Sequence, residues 1–261
     1  MISESVFKSF MPSDNTSNGA PKRIRTSDLR IRNPTLYPAE LPGPKMNYNT
    51  SNFCDFCYCS SMSKKAHSKL IKIGNLHAPE LSSIVSRNGM ISIDVPKNLD
   101  VFDCFAQTVV EQQLSYKAAK SIWIKVTDSA KNMNLELIDY FDMKNFKLIR
   151  ENGLSQNKIK SIMGAKEAIQ NGAISMKIIQ ELPYEEYKDL VKSLWGFGDW
   201  SAEMIAIFYL GRTNVWSDGD LMLKKGINEI CENSNITPQE LIEMVDPFQS
   251  YLALHIWRHK D

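Results

Sequence analysis

The sequence predicts an all-α protein, on three observations. Apolar residues recur at helical spacing through most of residues 62–261. Capping residues precede these runs and glycines follow them. No set of alternating strands of any size interrupts them. Residues 1–61 differ in texture: they are rich in Ser, Asn, Pro and Thr and keep no period for long. That part reads as a disordered extension, and residues 62–261 as a helical domain.

The helices follow in order. "APELSSIVSRNG" has Pro79 at its start and Gly89 past its end. A short extended piece, "MISIDV", comes next. Asp100 caps "VFDCFAQTVVEQQLS", with Phe102, Phe105, Val109 and Val110 on one stripe. Ser115 caps "SYKAAKSIWIKVTDSAKN". "LELIDYF" and "NFKLIRENG" are short, and Ser155 caps "SQNKIKSIMGAKEAIQNG". "MKIIQEL" and "PYEEYKDLVKSL" lead to "DWSAEMIAIFYLG" and "GDLMLKKGINEICEN". In "TPQELIEMVDPFQSYLALHIWRH", Thr237 is the cap, Pro238 the first helical residue and Glu240 the third.

Composition narrows the classes. Apolar residues are 43% and charged residues 23%, as in a globular protein. No apolar run approaches the roughly 18 residues of a membrane span, and no basic-then-apolar signal opens the chain. Residues 1–61 hold 7 basic against 5 acidic residues, leaving 24 against 25 in the rest. A broad basic field is thus excluded, and any polyanion must be held through a few local, salt-sensitive contacts. Lys22, Arg23, Arg25, Arg30 and Arg32 form a basic cluster in the extension. It could be a nucleic-acid arm, but the stretch resembles peptides read through a transfer-RNA gene, which would make Met46 or Met62 the start. Cys54, Cys57 and Cys59 cluster, with His67 the nearest further ligand, yet a zinc site needs four; incidental thiols are the simpler reading, and no metal is expected. Cys104 and Cys231 read as reduced core residues.

Gly196-Phe197-Gly198 stands between two helical runs. Such glycines let the chain turn sharply and expose N–H groups at the next helix's N-terminus, where a phosphate can sit. A plain helix–helix corner has the same pattern. Leu190, Leu194, Phe197, Ile205 and Phe208 would form its apolar core.

Five segments, "VVEQQLSYKAAKSI", "ENGLSQNKIKSI", "LWGFGDWSAEMIAIFYLGR", "VWSDGDLMLKKG" and "SYLALHIW", give the chain a family likeness across residues 77–258. In this order and spacing they resemble the helix–hairpin–helix DNA glycosylases, specifically the 3-methyladenine DNA glycosylase II branch without its N-terminal β-rich domain. The resemblance implies two helical subdomains with the active-site cleft between them. It implies that Asp220 is the catalytic carboxylate and that Gly196, Phe197 and Gly198 grip the DNA backbone. Gln112 and Gln113 would fill the gap left by a flipped base, with Ser115 beside them on the DNA. Trp257 would be a pocket aromatic. Trp200 stands where bifunctional relatives carry a Schiff-base lysine, so lyase chemistry is not implied. Met204 replaces a pocket tyrosine and Gln249 an arginine of the family's Pro-x-Arg-Ser. No cofactor is required, though the family often holds a monovalent cation on hairpin carbonyls.

The chemistry agrees with that assignment. Cleaving a purine N-glycosidic bond builds positive charge on the sugar, which one carboxylate near C1′ stabilises. The base must first leave the duplex and a side chain must plug the hole. A cationic alkylpurine favours indole faces. Each residue also has a plainer role: Asp220 as a helix cap, with Asp218 as its rival for chemistry; Trp200 and Trp257 as core; Lys117, Lys120, Lys224 and Lys225 as solvated charge. Trp123, Trp195 and Trp216 are assigned to packing. The expected partner is damaged double-stranded DNA, acted on by a monomer in bacterial cytoplasm or a eukaryotic nucleus. The alternative is a non-catalytic helix–hairpin–helix module of a repair complex.

Overall fold

The computed structural model describes residues 53–96 and 100–260, with side chains described from residue 61 onward. Among the described residues there are helices and no strand. They are α1 (Phe53–His77), α2 (Pro79–Asn88), α3 (Val101–Glu111), α4 (Tyr116–Asn132), α5 (Leu137–Tyr140), α6 (Phe146–Glu151), α7 (Gln156–Gln170) and α8 (Met176–Glu181). Then come α9 (Tyr184–Lys192), α10 (Asp199–Phe208), α11 (Leu221–Cys231), α12 (Pro238–Val245) and α13 (Gln249–Lys260).

Local chemistry sets most of the boundaries. Asp100, Ser115, Ser155 and Thr237 each accept a backbone N–H from the first turn of their helix, and Thr237 with Glu240 completes a capping box. Phe102, Phe105, Val109 and Val110 are fully buried along α3, the stripe expected from their spacing. Cys104 and Cys231 are buried free thiols.

The structure departs from the sequence expectations at three places. Helix α1 begins at Phe53, upstream of the boundary drawn at residue 62, so Cys54, Cys57 and Cys59 lie on a helix. Among its described side chains, Ser63, Ala66 and Leu70 face the core, and a helix once nucleated extends at little cost. The three thiols lie outside the described side chains, as does the whole 1–52 segment. Helix α3 stops at Glu111 rather than Ser115, because Gln113 adopts φ 56°. "MISIDV" forms no strand, as expected, and Ile91 and Ile93 turn into the core. The C-terminal run is two helices, broken at Asp246-Pro247, since proline offers no N–H to continue the first.

Packing sorts the helices into two groups. Helices α1, α2 and α11–α13 pack on one another, and α3–α7, α9 and α10 form the second group around α3. Gly226 lets α11 and α13 cross closely: a Cβ there would lie 2.2 Å from Ile256 Cγ2. Gly226→Ala is therefore expected to lower stability by about 1–3 kcal/mol, the usual cost of overpacking, despite alanine's better helix propensity. The urea midpoint measures this, and an unchanged midpoint would refute it.

A buried histidine joins α13 to α1 and α2. His255 faces His67, with ring centroids 6.4 Å apart, and Asn88 Nδ2 lies 3.2 Å from its Nδ1. Burial, then the neighbouring His67 and Arg258, push its pKa down to about 3. An unfolded histidine titrates near 6.5. The folded state therefore binds fewer protons between those values. Stability is full above about pH 6.5 and falls as pH drops toward 3, by at most ~1.4 kcal/mol per pH unit for this one group. Asp103 and Glu111, raised by burial to about 6 and about 7, act in the opposite sense. A parent–variant comparison isolates the histidine: His255→Gln is expected to flatten the acid limb between pH 6 and 4. Parallel curves in urea titrations would count against this.

Candidate active site

The segment between α10 and α11 is fixed from several sides before it reaches Asp220. Arg212 donates to the carbonyls of Leu182 (2.8 Å) and Ile179 (3.3 Å). Ser250 Oγ donates to Arg212 O (2.7 Å) and accepts from Val215 N (3.0 Å). Ser217 Oγ donates to the buried Glu203 carboxylate, and Asp220 N donates to Ser217 O (3.1 Å). Burial raises the Glu203 pKa, with the Ser217 hydrogen bond and Lys188 acting against that.

Asp220 is the N-cap of α11. Its Oδ1 accepts from Met222 N (2.9 Å) and Leu223 N (3.0 Å). Its Oδ2 accepts from Trp200 Nε1 (3.1 Å), and Trp257 Nε1 lies 3.4 Å from Oδ1. The helix-cap role is therefore real, and it coexists with a second arrangement. Trp200 comes from α10 of the central group and Trp257 from α13 of the terminal group. The carboxylate stands where the two groups meet, only 4% exposed. Asp218, its rival in sequence, is exposed.

The two tryptophans differ in exposure. Trp257 is 1% exposed, and its ring lies against Phe208 with centroids 5.7 Å apart. It offers Asp220 an N–H rather than an open face to a ligand. Trp200 is half-buried, and Met204 is buried in the core. Leu221, missed in the sequence, follows the carboxylate directly and is 52% exposed. A large apolar side chain at the first position of a capped helix, next to a candidate carboxylate, was the signal available for it.

The hairpin joins α9 to α10. Gly196 has φ 85°, and a Cβ there would lie 2.0 Å from Ser161 Oγ on α7. Gly198 has φ −123° and ψ −171°, an extended backbone. A Cβ on Gly198 would meet no protein atom within 4 Å. The shape requirement therefore lies at Gly196, while Gly198 faces open space as the N-cap of α10, with no side chain capping that turn. Phe197 is buried against Phe105, centroids 5.4 Å apart, and anchors the turn from within. Asp199 pairs with Lys192 (2.8 Å) and Lys188 (3.4 Å), which offset an acid in the first turn.

The loop after α3 meets this hairpin. Gln112 Nε2 donates to Gly196 O (3.0 Å) and to Ser201 Oγ (2.9 Å). Gln112 thus braces the hairpin from the loop after α3. Gln113 and Leu114 are exposed beside it, Leu114 by 40%. Ser115 caps α4 through Ala118 N. Lys158 Nζ, from α7, donates to Val110 O (2.8 Å) and Gln112 O (2.9 Å) and so closes the end of α3. Burial lowers the Lys158 pKa to about 8, against the pull of Glu111.

No protein-family model matches the chain. DNA-3-methyladenine glycosylase 1 of Schizosaccharomyces pombe is 28% identical over 157 residues, covering 58% of this chain and 69% of that protein. The alkylbase DNA glycosidase-like protein mag2 of the same organism is 25% identical over 201 residues, covering 75% and 92%. The solved structure of the S. pombe 3-methyladenine DNA glycosylase in complex with abasic DNA aligns with a TM-score of 0.64 at 23% identity, over 74% of this chain and 95% of that one. The chain is thus similar in sequence to proteins named as alkylated-base DNA glycosylases, and it shares the fold of a solved 3-methyladenine DNA glycosylase.

Proposed function

We propose that this protein is a monofunctional DNA glycosylase that releases alkylated, cationic purines such as 3-methyladenine from double-stranded DNA, in base excision repair. One observation carries the reading: a buried carboxylate, Asp220, held by N–H groups of Trp200 and Trp257 where the two helix groups meet. The names of its relatives favour the same substrate class.

In this mechanism Gln113 and Leu114 enter the duplex where the nucleotide leaves it, because they are the exposed members of the loop after α3. The half-buried Trp200 supplies the indole face for the cationic base. The base departs with the bonding electrons of the N-glycosidic bond and becomes neutral as it does so. Positive charge then develops on the sugar, where the Asp220 carboxylate stabilises it until water adds at C1′ and gives up a proton. A cationic base is already a good leaving group, so no acid is assigned to it. Position 200 is Trp, which has no amine for a Schiff base, so strand cleavage is not part of the reaction.

The hairpin holds a phosphate through the N–H groups at the start of α10. Its carbonyls suit a monovalent cation: Leu194 O and Gly196 O each accept one N–H, leaving a second lone pair apiece. Such a cation would offset phosphate charge; no other cofactor is assigned. Among the described residues no helix is long and apolar enough to cross a membrane. The proposal places a monomer on DNA, in cytoplasm or nucleus according to the cell.

Incubation with methylated duplex tests the reading. Free methylpurine by mass analysis, with strand breaks only after alkali, is the expected result. Breaks without alkali would indicate lyase chemistry, and binding without release would leave a non-catalytic module.

A further inference from the structure

We propose that Trp195 and Lys160 form a side-chain nucleic-acid contact beside the hairpin, with the indole face stacking on a sugar or base of the strand whose phosphate the hairpin holds. This inference rests on the reading of the hairpin as a DNA grip. Trp195 is 49% exposed, although its place between Leu194 and Gly196 in the hairpin suggested packing. Exposing an indole costs hydrophobic free energy, about 25 cal/mol per Å² of apolar surface, so a stabilising role does not account for it.

The surroundings choose the occupant. Lys160 Nζ lies 4.4 Å from the Trp195 ring centroid, so a cation accompanies the aromatic. Lys160 sits on α7 next to Ser161, whose hydroxyl abuts Gly196. The open first turn of α10 follows three residues after Trp195. Across the hairpin, Gln112 binds Gly196 O, and the loop it opens exposes Leu114. Two large apolar side chains, Trp195 and Leu114, thus stand exposed near the turn, whose following helix has no side-chain cap. Nucleic acid matches this pattern: phosphate for the N–H groups and the ammonium, a flat or apolar nucleoside face for the indole. A chain whose domain is nearly neutral needs such local contacts, because no broad basic field holds the polyanion.

The two side chains separate by salt dependence. Trp195→Ala is expected to raise the Kd for a fluorescein-labelled undamaged duplex about tenfold, while the slope of log K against log salt stays as in the parent. Trp195→Phe should recover most of that affinity. Lys160→Met should weaken binding and reduce the slope by about one contact's worth. Melting temperatures of all three should match the parent. Parent-like affinity of Trp195→Ala, with Gly198→Ala impaired, would overturn this contact and leave the hairpin reading standing. Parent-like affinity of Gly198→Ala, or a parent that binds no duplex, would overturn the hairpin reading and this proposal with it.

Discussion

Asp220→Asn is expected to slow methylpurine release by about 10²–10³-fold, the usual loss when one group facing developing charge is removed. The substitution keeps the shape and, through its Oδ1, can still accept from Met222 and Leu223 N–H, since asparagine caps helices about as well as aspartate. It then turns an NH₂ toward the Trp200 N–H that Oδ2 now accepts, setting donor against donor. That lost pairing costs about 1–3 kcal/mol of stability in a site this buried. Rate and stability must therefore be measured on the same sample. The expected result is a protein that still melts cooperatively and binds undamaged duplex as the parent does, yet releases little base. Asp218→Asn, at an exposed position, should leave release unchanged. Near-parental release by Asp220→Asn would remove the carboxylate from the chemistry. Full loss with Asp218→Asn alone would move the role two residues upstream.

The register that singled out Asp220 was legible because a carboxylate before "LMLKK" and a tryptophan twenty residues earlier carry the family pattern in one dimension. What they do together was not legible. Capping and chemistry looked like competing roles for Asp220, and the structure gives one oxygen to the helix and the other to Trp200. The burial of Trp257 depends on Phe208 from another helix, and the exposure of Trp195 on where α7 passes the hairpin. Neither follows from residue type. Helix starts at Asp100, Ser115, Ser155 and Thr237 were readable because a cap is chemistry between near neighbours. The end of α3 was not, since Lys158 closes it from a helix distant in sequence, across Val110 O and Gln112 O. Gly226 looks like a weak point in a helix until Ile256 is placed against it.

The two hairpin glycines are expected to fail in different ways when changed to alanine. Gly196→Ala forces a side chain into φ 85° and drives its Cβ into Ser161 Oγ, so the turn itself must deform. The cost is about 1–3 kcal/mol from strain at a left-handed position, before any clash is counted. Melting temperature and DNA affinity should fall together. Gly198→Ala has neither fault: the backbone is extended, and no protein atom lies within 4 Å of the new Cβ. Alanine is a poorer N-cap than glycine, so stability should fall by about 1 kcal/mol, without strain or clash. The open space is where a ligand backbone must come close to the N–H groups of α10. A methyl group there holds a phosphate away, and binding should weaken for damaged and undamaged duplex alike, because phosphate contacts carry no base information. Melting curves with fluorescence-anisotropy titrations of both duplexes decide the matter. Loss of affinity far beyond that small loss of stability marks Gly198 as a contact surface for DNA. If Gly198→Ala binds both duplexes as the parent does, the glycine pair serves only to turn the chain between two helices.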